Sequence, residues 1–209
     1  MIFLRLRNLK NKEDIMNNCD FLITEPFEYI GKWSELFNNN NPIYIEIGMG
    51  FGKFIYENAL KNPNINYIGI EKYDNVVARA IKKIEKLDNL IIIRMDARFI
   101  DKVFDKEIDR LYLNFSDPWP KKGQANRRLT SPYFLELYDK IFKSNKNIYM
   151  KTDNRKLFAY SIESLNNYGY KLSNITFDLH KDESSVITTE YEEKFVSKGN
   201  NIYYLEANK

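Results

Sequence analysis

Ile43-Tyr44-Ile45-Glu46-Ile47-Gly48-Met49-Gly50-Phe51-Gly52 carries an apolar run straight into a G-x-G-x-G turn, and a helical pattern opens directly behind it at 53–61. A strand feeding a glycine turn and then a helix is the opening unit of a doubly wound α/β domain. Its glycines let the backbone turn tightly and let a ligand approach where a Cβ would otherwise stand. Outward from this unit the alternation continues, with strands at 67–71, 90–95, 111–115 and 148–151 and helices at 75–86, 98–104, 132–142 and 156–167. That rhythm predicts a Rossmann-like, mostly parallel sheet with helices on both faces. Past Gly169 the pattern changes: strand-like runs at 170–179 and 201–207, separated by the polar stretch 181–199, predict an antiparallel pair at one end of the sheet. A chain of 209 residues fits one such domain with its own core. Residues 1–40 are expected to form a basic N-terminal arm and lead-in helix, and 41–209 the α/β domain.

The balance of charge limits the function. A net charge of only +3 rules out a blanket polyanion binder, so any nucleic-acid contact must come from local clusters, which exist at 5–12 and 121–128. Cys19 is the only cysteine, which excludes a disulfide framework and a cysteine-ligated zinc and argues against the cysteine nucleophile that methylation of a pyrimidine carbon 5 requires. His180 is the only histidine, so neither a metal site nor Ser-His-Asp chemistry is expected; it reads as structural or surface. No apolar run reaches transmembrane length, and Arg5 and Arg7 interrupt Met1-Ile2-Phe3-Leu4 before a signal-peptide core can form, so a cytoplasmic protein without a membrane partner is expected. The asparagine run 38–41 reads as a solvated loop.

Two acids strengthen the glycine turn as a cofactor site. Glu71 closes the second strand, where a carboxylate accepts from ribose hydroxyls, and Asp96-Ala97 closes the third, where it can accept from an adenine amino group. The turn is not G-x-G-x-x-G, and Glu46 just before it would repel a pyrophosphate while suiting an ammonium or cationic centre. That combination favours S-adenosyl-L-methionine over NAD, with its methionine portion over Gly48, Gly50 and Gly52. The second candidate is Asn114-Phe115-Ser116-Asp117-Pro118-Trp119-Pro120-Lys121-Lys122, where a strand expected to end at Ser116 delivers an acid, an indole and two prolines. The prolines are expected to push Asp117 and Trp119 into extended conformations, giving a stiff loop suited to a flat polar substrate such as a nucleobase. A plain Pro-rich turn is the competing reading.

Taken in order, 46–52, Glu71-Lys72, Asp96-Ala97, the block 115–122 and Thr189-Glu190-Tyr191-Glu192 resemble the motifs of bacterial tRNA (guanine-N7-)-methyltransferases. The resemblance runs from the arm to the last strand. It implies the class I methyltransferase fold and methylation of the variable-loop guanosine of tRNA, conventionally position 46, with S-adenosyl-L-homocysteine as product, no metal, and a monomer or homodimer. Carried over, Glu46, Glu71, Asp96 and Asp117 would meet the cofactor or its surroundings, with Asp117 as the catalytic carboxylate. Lys121, Asp153 and Thr189, Glu190, Tyr191 and Glu192 would hold the guanine nucleotide, and Lys122, Arg127 and Arg128 would contact RNA. One departure stands out: where the family often reads R-H-x-K-R-R, this chain reads Gly123-Gln124-Ala125-Asn126-Arg127-Arg128. Helix N-caps are the structural alternative for Asp153 and Thr189, and core packing for Trp119 and Tyr191. Two rival functions stay open. Asp117-Pro118-Trp119 also resembles the N-P-P-aromatic loop of enzymes that methylate exocyclic amines, and the fold could serve an RNA-binding protein without activity.

Overall fold

The computed structural model describes residues 9–182 and 186–209; Arg5 and Arg7 of the expected basic arm lie outside the described residues. Helix α1 (Lys12–Asn17), strand β1 (Leu22–Ile23), a 3-10 turn at Pro26–Tyr29 and helix α2 (Trp33–Phe37) lead into the glycine-turn unit, β2 (Ile43–Ile47) and α3 (Lys53–Lys61). There follow β3 (Asn66–Glu71), α4 (Asp74–Ile81), β4 (Leu90–Arg94), a 3-10 turn at Ala97–Lys102, β5 (Ile108–Asn114), a 3-10 turn at Lys122–Arg127 and α5 (Pro132–Ile141). The chain closes with β6 (Phe142–Thr152), α6 (Arg155–Asn167), β7 (Lys171–Thr176), α7 (Leu179–Asp182), α8 (Glu190–Val196) and β8 (Tyr203–Asn208).

All eight strands form one sheet in the order β1-β4-β3-β2-β5-β6-β8-β7. The pairs from β1 to β6 are parallel, and β8 runs antiparallel to both β6 and β7. Every residue of β3 is buried, as expected for a central parallel strand covered on both faces. The order reverses between β2 and β5, so their C-terminal ends open the crevice in which α/β sheets bind ligands.

Several boundaries depart from the sequence expectation. Strand β1 is unforeseen, since two residues are too few to show a period, yet it pairs in parallel with β4. The lead-in is fastened to the domain. Trp33 is fully buried and donates its indole N–H to the Val103 carbonyl at 2.8 Å, while the Glu107 carboxylate accepts from the backbone N–H groups of Gly31 and Trp33 at 3.0 Å each. Helix α4 stops at Ile81 rather than 86, and the chain turns so that Ile84 packs onto the glycine turn. Strand β5 ends at Asn114 rather than Ser116, because Phe115 adopts a left-handed φ of 51° that breaks the pleat. The polar stretch 181–199 holds the end of α7 and all of α8. No helix among the described residues is long and apolar enough to cross a membrane.

Candidate active site

The crevice contains a cavity of about 650 Å³ at the ends of β2, β3, β4 and β5. Gly48 and Gly50 form part of its wall with φ of 79° and 59°, and a Cβ on either would meet nothing within 4 Å. The turn thus presents bare backbone to the cavity. It is held down on β3, whose Ile70 carbonyl accepts from the N–H groups of Gly48 at 2.8 Å and Met49 at 3.0 Å. Gly52 differs from the expectation. It is not on the cavity wall, and a Cβ there would fall 2.3 Å from Ile84 Cδ1, so this glycine serves packing between α3 and the end of α4.

Three carboxylates surround the turn, each in a different state. Glu71 is buried and lines the cavity; its oxygens accept from the backbone N–H groups of Lys72 at 2.8 Å, Tyr73 at 3.1 Å and Gly50 at 3.2 Å. Burial raises its pKa against those hydrogen bonds. A carboxylate offers about four acceptor positions, so room remains for hydroxyl donors. Asp96 also lines the cavity, beside Ala97. Burial opposes its charge, but the Arg98 guanidinium and the Lys72 ammonium, 2.9 and 2.8 Å away, hold its pKa at about 2. Asp96 therefore stays ionised as an acceptor, and it also caps the following 3-10 turn through the Arg98 N–H.

Glu46 lies behind the wall rather than on it. It is 1 % exposed, one oxygen accepts from the Asn114 amide at 2.8 Å, and the other, Oε2, has no partner among the described residues. Burial pushes its pKa up to about 8. Asn114 does line the cavity, so the pair joins β2 and β5 at the floor of the crevice. An unpartnered buried acceptor together with open glycine backbone fits a ligand that brings a cationic group and hydroxyls.

The loop after β5 brings Asp117 and Trp119 to the same cavity. Asp117 is half-buried, which raises its pKa, and no hydrogen bond or ion pair engages its carboxylate among the described residues. The expectation of an extended Trp119 is corrected: its φ is 40°. The reason lies nine residues on. The Arg128 guanidinium donates from Nε to the Pro118 carbonyl and from Nη2 to the Trp119 carbonyl, both at 3.0 Å. Two hydrogen bonds to a charged donor, each contributing about 1.5–3 kcal/mol, offset a strained backbone that costs about 1–3 kcal/mol. Arg127 lies over the Trp119 indole at 4.9 Å and lines the cavity, whereas Lys121 and Lys122 are exposed at its edge and lie off the wall.

The Thr189–Glu192 motif departs most from its expectation. Of its four residues only Tyr191 reaches the cavity, its ring packed between Phe115 at 5.1 Å and Phe195 at 4.2 Å. Thr189 caps α8, its hydroxyl accepting from the Glu192 N–H at 2.9 Å, while Glu192 Oε2 accepts from the Thr189 N–H at 3.2 Å. This is a reciprocal capping box, and the S/T-x-x-E spacing announced it. Glu192 is wholly buried against the Lys151 ammonium at 3.2 Å and His180 Nε2 at 2.9 Å, so it offers no free acceptor to a base. Glu190 pairs with Lys83 at 3.6 Å. Asp153 is off the cavity wall and accepts from the Tyr191 hydroxyl at 3.2 Å; the N-cap of α6 is Asn154, not Asp153. Sequence reasoning missed Lys72, Arg98 and Asn114. Lys72 and Arg98 flank the strand-end acids and were open to inspection, whereas nothing local marks Asn114.

A family model described as "Putative methyltransferase" matches residues 40–205. Curated proteins named tRNA (guanine-N(7)-)-methyltransferase are similar over the whole chain. One from Lachnoclostridium phytofermentans is 50 % identical over 98 % of both chains, and one from Geobacillus sp. is 49 % identical over 98 % of this chain and 95 % of its own. Among solved structures, an antibiotic-related methyltransferase superposes with a TM-score of 0.63 at 17 % identity, covering 86 % of this chain and 92 % of that one. The 16S rRNA methyltransferase KamB gives 0.64 at 12 % identity, covering 85 % and 91 %. These structures share the fold.

Proposed function

The chain belongs to the tRNA (guanine-N7-)-methyltransferase family, and on that premise we propose that it transfers the methyl group of S-adenosyl-L-methionine to N7 of a guanosine in tRNA, at variable-loop position 46. The same reading makes 41–209 the body of the methyltransferase domain, with β1 and the buried Trp33 of the lead-in joined to it, and assigns the basic residues of 1–40 to the tRNA. The geometric observation that carries it is Asp117, a half-buried carboxylate without a partner among the described residues, on the wall that also holds the glycine turn, Glu71, Asp96 and Trp119.

Glu71 suits ribose hydroxyls, Asp96 with Ala97 an adenine amino group, and the Gly48–Gly50 backbone with the Glu46–Asn114 pair a methionine portion. When bound, S-adenosyl-L-methionine supplies a methyl group on a sulfonium centre. Guanine N7 carries an in-plane lone pair and no proton, so the chain need not supply a general base. Its residues orient. Holding the reacting atoms at near-attack distance can account for about 7–11 kcal/mol of barrier. Asp117 stabilises the positive charge that guanine acquires, from a half-buried position where water screens it less than at the open surface.

Trp119 offers a ring face for a splayed-out base and Tyr191, packed against Phe115 and Phe195, borders its place in the cavity; Lys121 and Asp153, off the wall, would reach O6 and the Watson–Crick N–H donors from outside it. Thr189, Glu190 and Glu192 act on the nucleotide through the placement of α8, and Lys122 and Arg127 contact phosphates. Incubation with labelled S-adenosyl-L-methionine and unmodified transcripts tests the reading. Label on a tRNA with guanosine at the site, recovered as N7-methylguanine, and none on its adenosine variant is the expected outcome. Label recovered as a methylated exocyclic amine would replace it.

A further inference from the structure

Resting on that reading of the reaction, we propose that Arg128 is a positioning residue that holds the Asp117–Pro120 loop in its working shape, and that it is not one of the phosphate contacts of the basic segment. Lys121, Lys122 and Arg127 are exposed, but Arg128 is half-buried and turned inward. Its planar fork meets two successive carbonyls, Pro118 and Trp119, at 3.0 Å each, and its guanidinium lies over the Tyr160 ring of α6 at 4.2 Å. Its backbone is fixed as well. The Arg128 N–H donates to the Ala125 carbonyl at 3.0 Å, and the Arg128 carbonyl accepts at 2.9 Å from Ser131, the N-cap of α5.

The need for this brace follows from the sequence it grips. Pro118 and Pro120 have no N–H with which to close a turn, and the left-handed φ of Trp119 points two carbonyls in one direction. An arginine fork ten residues from Pro118 and nine from Trp119 satisfies both at once; an ammonium, a point donor, cannot reproduce the planar pair. Asp117 and Trp119 on the cavity wall are therefore aimed by Arg128, which itself lies off that wall.

The test compares Arg128→Lys, Arg128→Ala, Tyr160→Leu and Lys122→Ala in the full chain, reading single-turnover methyl transfer, calorimetric affinity for S-adenosyl-L-methionine, and the salt dependence of tRNA binding. A loop displaced by about 1 Å loses on the order of 10²-fold in rate. We expect that loss in both Arg128 variants, a smaller one in Tyr160→Leu, weaker cofactor binding in all three, and a salt slope equal to wild type. Lys122→Ala should flatten the log-log slope by about 0.7–0.9, the signature of a lost phosphate contact. The inference is overturned if Arg128→Lys keeps the wild-type rate, or if Arg128→Ala keeps its rate and flattens the slope as Lys122→Ala does. Should Arg128→Ala fail to fold, Arg128→Lys, which retains charge and stem, decides. A wild-type protein that labels no guanosine tRNA would instead fault the reaction assigned above, and cofactor affinity in Arg128→Lys would still report on the brace.

Discussion

Glu46 at the end of β2 and Glu192 in the first turn of α8 are both buried carboxylates, 1 % and 0 % exposed, and their surroundings are opposite. Glu192 is saturated by Lys151, His180 and a backbone N–H, so its charge is matched where it lies. Glu46 has one amide donor and an orphan oxygen, and burial pushes its pKa up to about 8. A buried acid with all its partners is a strut. One lacking them is in a state that a ligand can improve.

The contrast can be broken most sharply at the strut. Lys151→Met leaves Glu192 buried without its main counter-charge and should cost about 3–5 kcal/mol of folding stability in urea melts of the cofactor-free protein. A cost under about 1 kcal/mol would mean that the pair is not balanced as described. At Glu46 the effect should fall on binding instead. Acting from behind the wall through the Asn114 amide that lines it, Glu46→Gln should lose about 1–1.5 kcal/mol of cofactor affinity, without lowering the stability of the free protein at pH 8.

The same site fixes a pH signature. Because the folded pKa of Glu46 is raised to about 8 from 4.5, the stability it contributes is fully present below pH 4.5 and is lost as pH rises through 8. That component should vanish in Glu46→Gln, and melts between pH 5 and 9 would sink the assignment if wild type and variant kept parallel profiles. The smallest effect is expected at Thr189→Ala, about 1 kcal/mol for a lost N-cap, read as a modest drop in melting temperature. A loss confined to tRNA binding, with stability untouched, would restore Thr189 as a direct substrate contact.

Elements built from local pattern were legible in the sequence. The β2 run, its glycine turn and the acids closing β3 and β4 sit where period and punctuation put them, because each depends on neighbours a few residues away. The cap at Thr189 was legible too, as the structural alternative to a ligand clasp, because the Thr189–Glu192 spacing is local. What the sequence withheld depends on distant partners. Asn114 meets Glu46 across 68 positions, and Arg128 overrides the pre-proline preference of Trp119 from nine positions away. No window along the chain contains both Asn114 and Glu46, and although Arg128 lies within one window of Trp119, no helical or strand period announces a guanidinium gripping two loop carbonyls.

The central claim is that Asp117 acts by orientation and charge rather than by removing a proton. Single-turnover methyl transfer to guanosine tRNA by Asp117→Asn, at saturating cofactor and tRNA, tests it most directly. The account predicts a rate lowered on the order of 10²-fold with N7-methylguanine still the product. Full turnover by Asp117→Asn would contradict it.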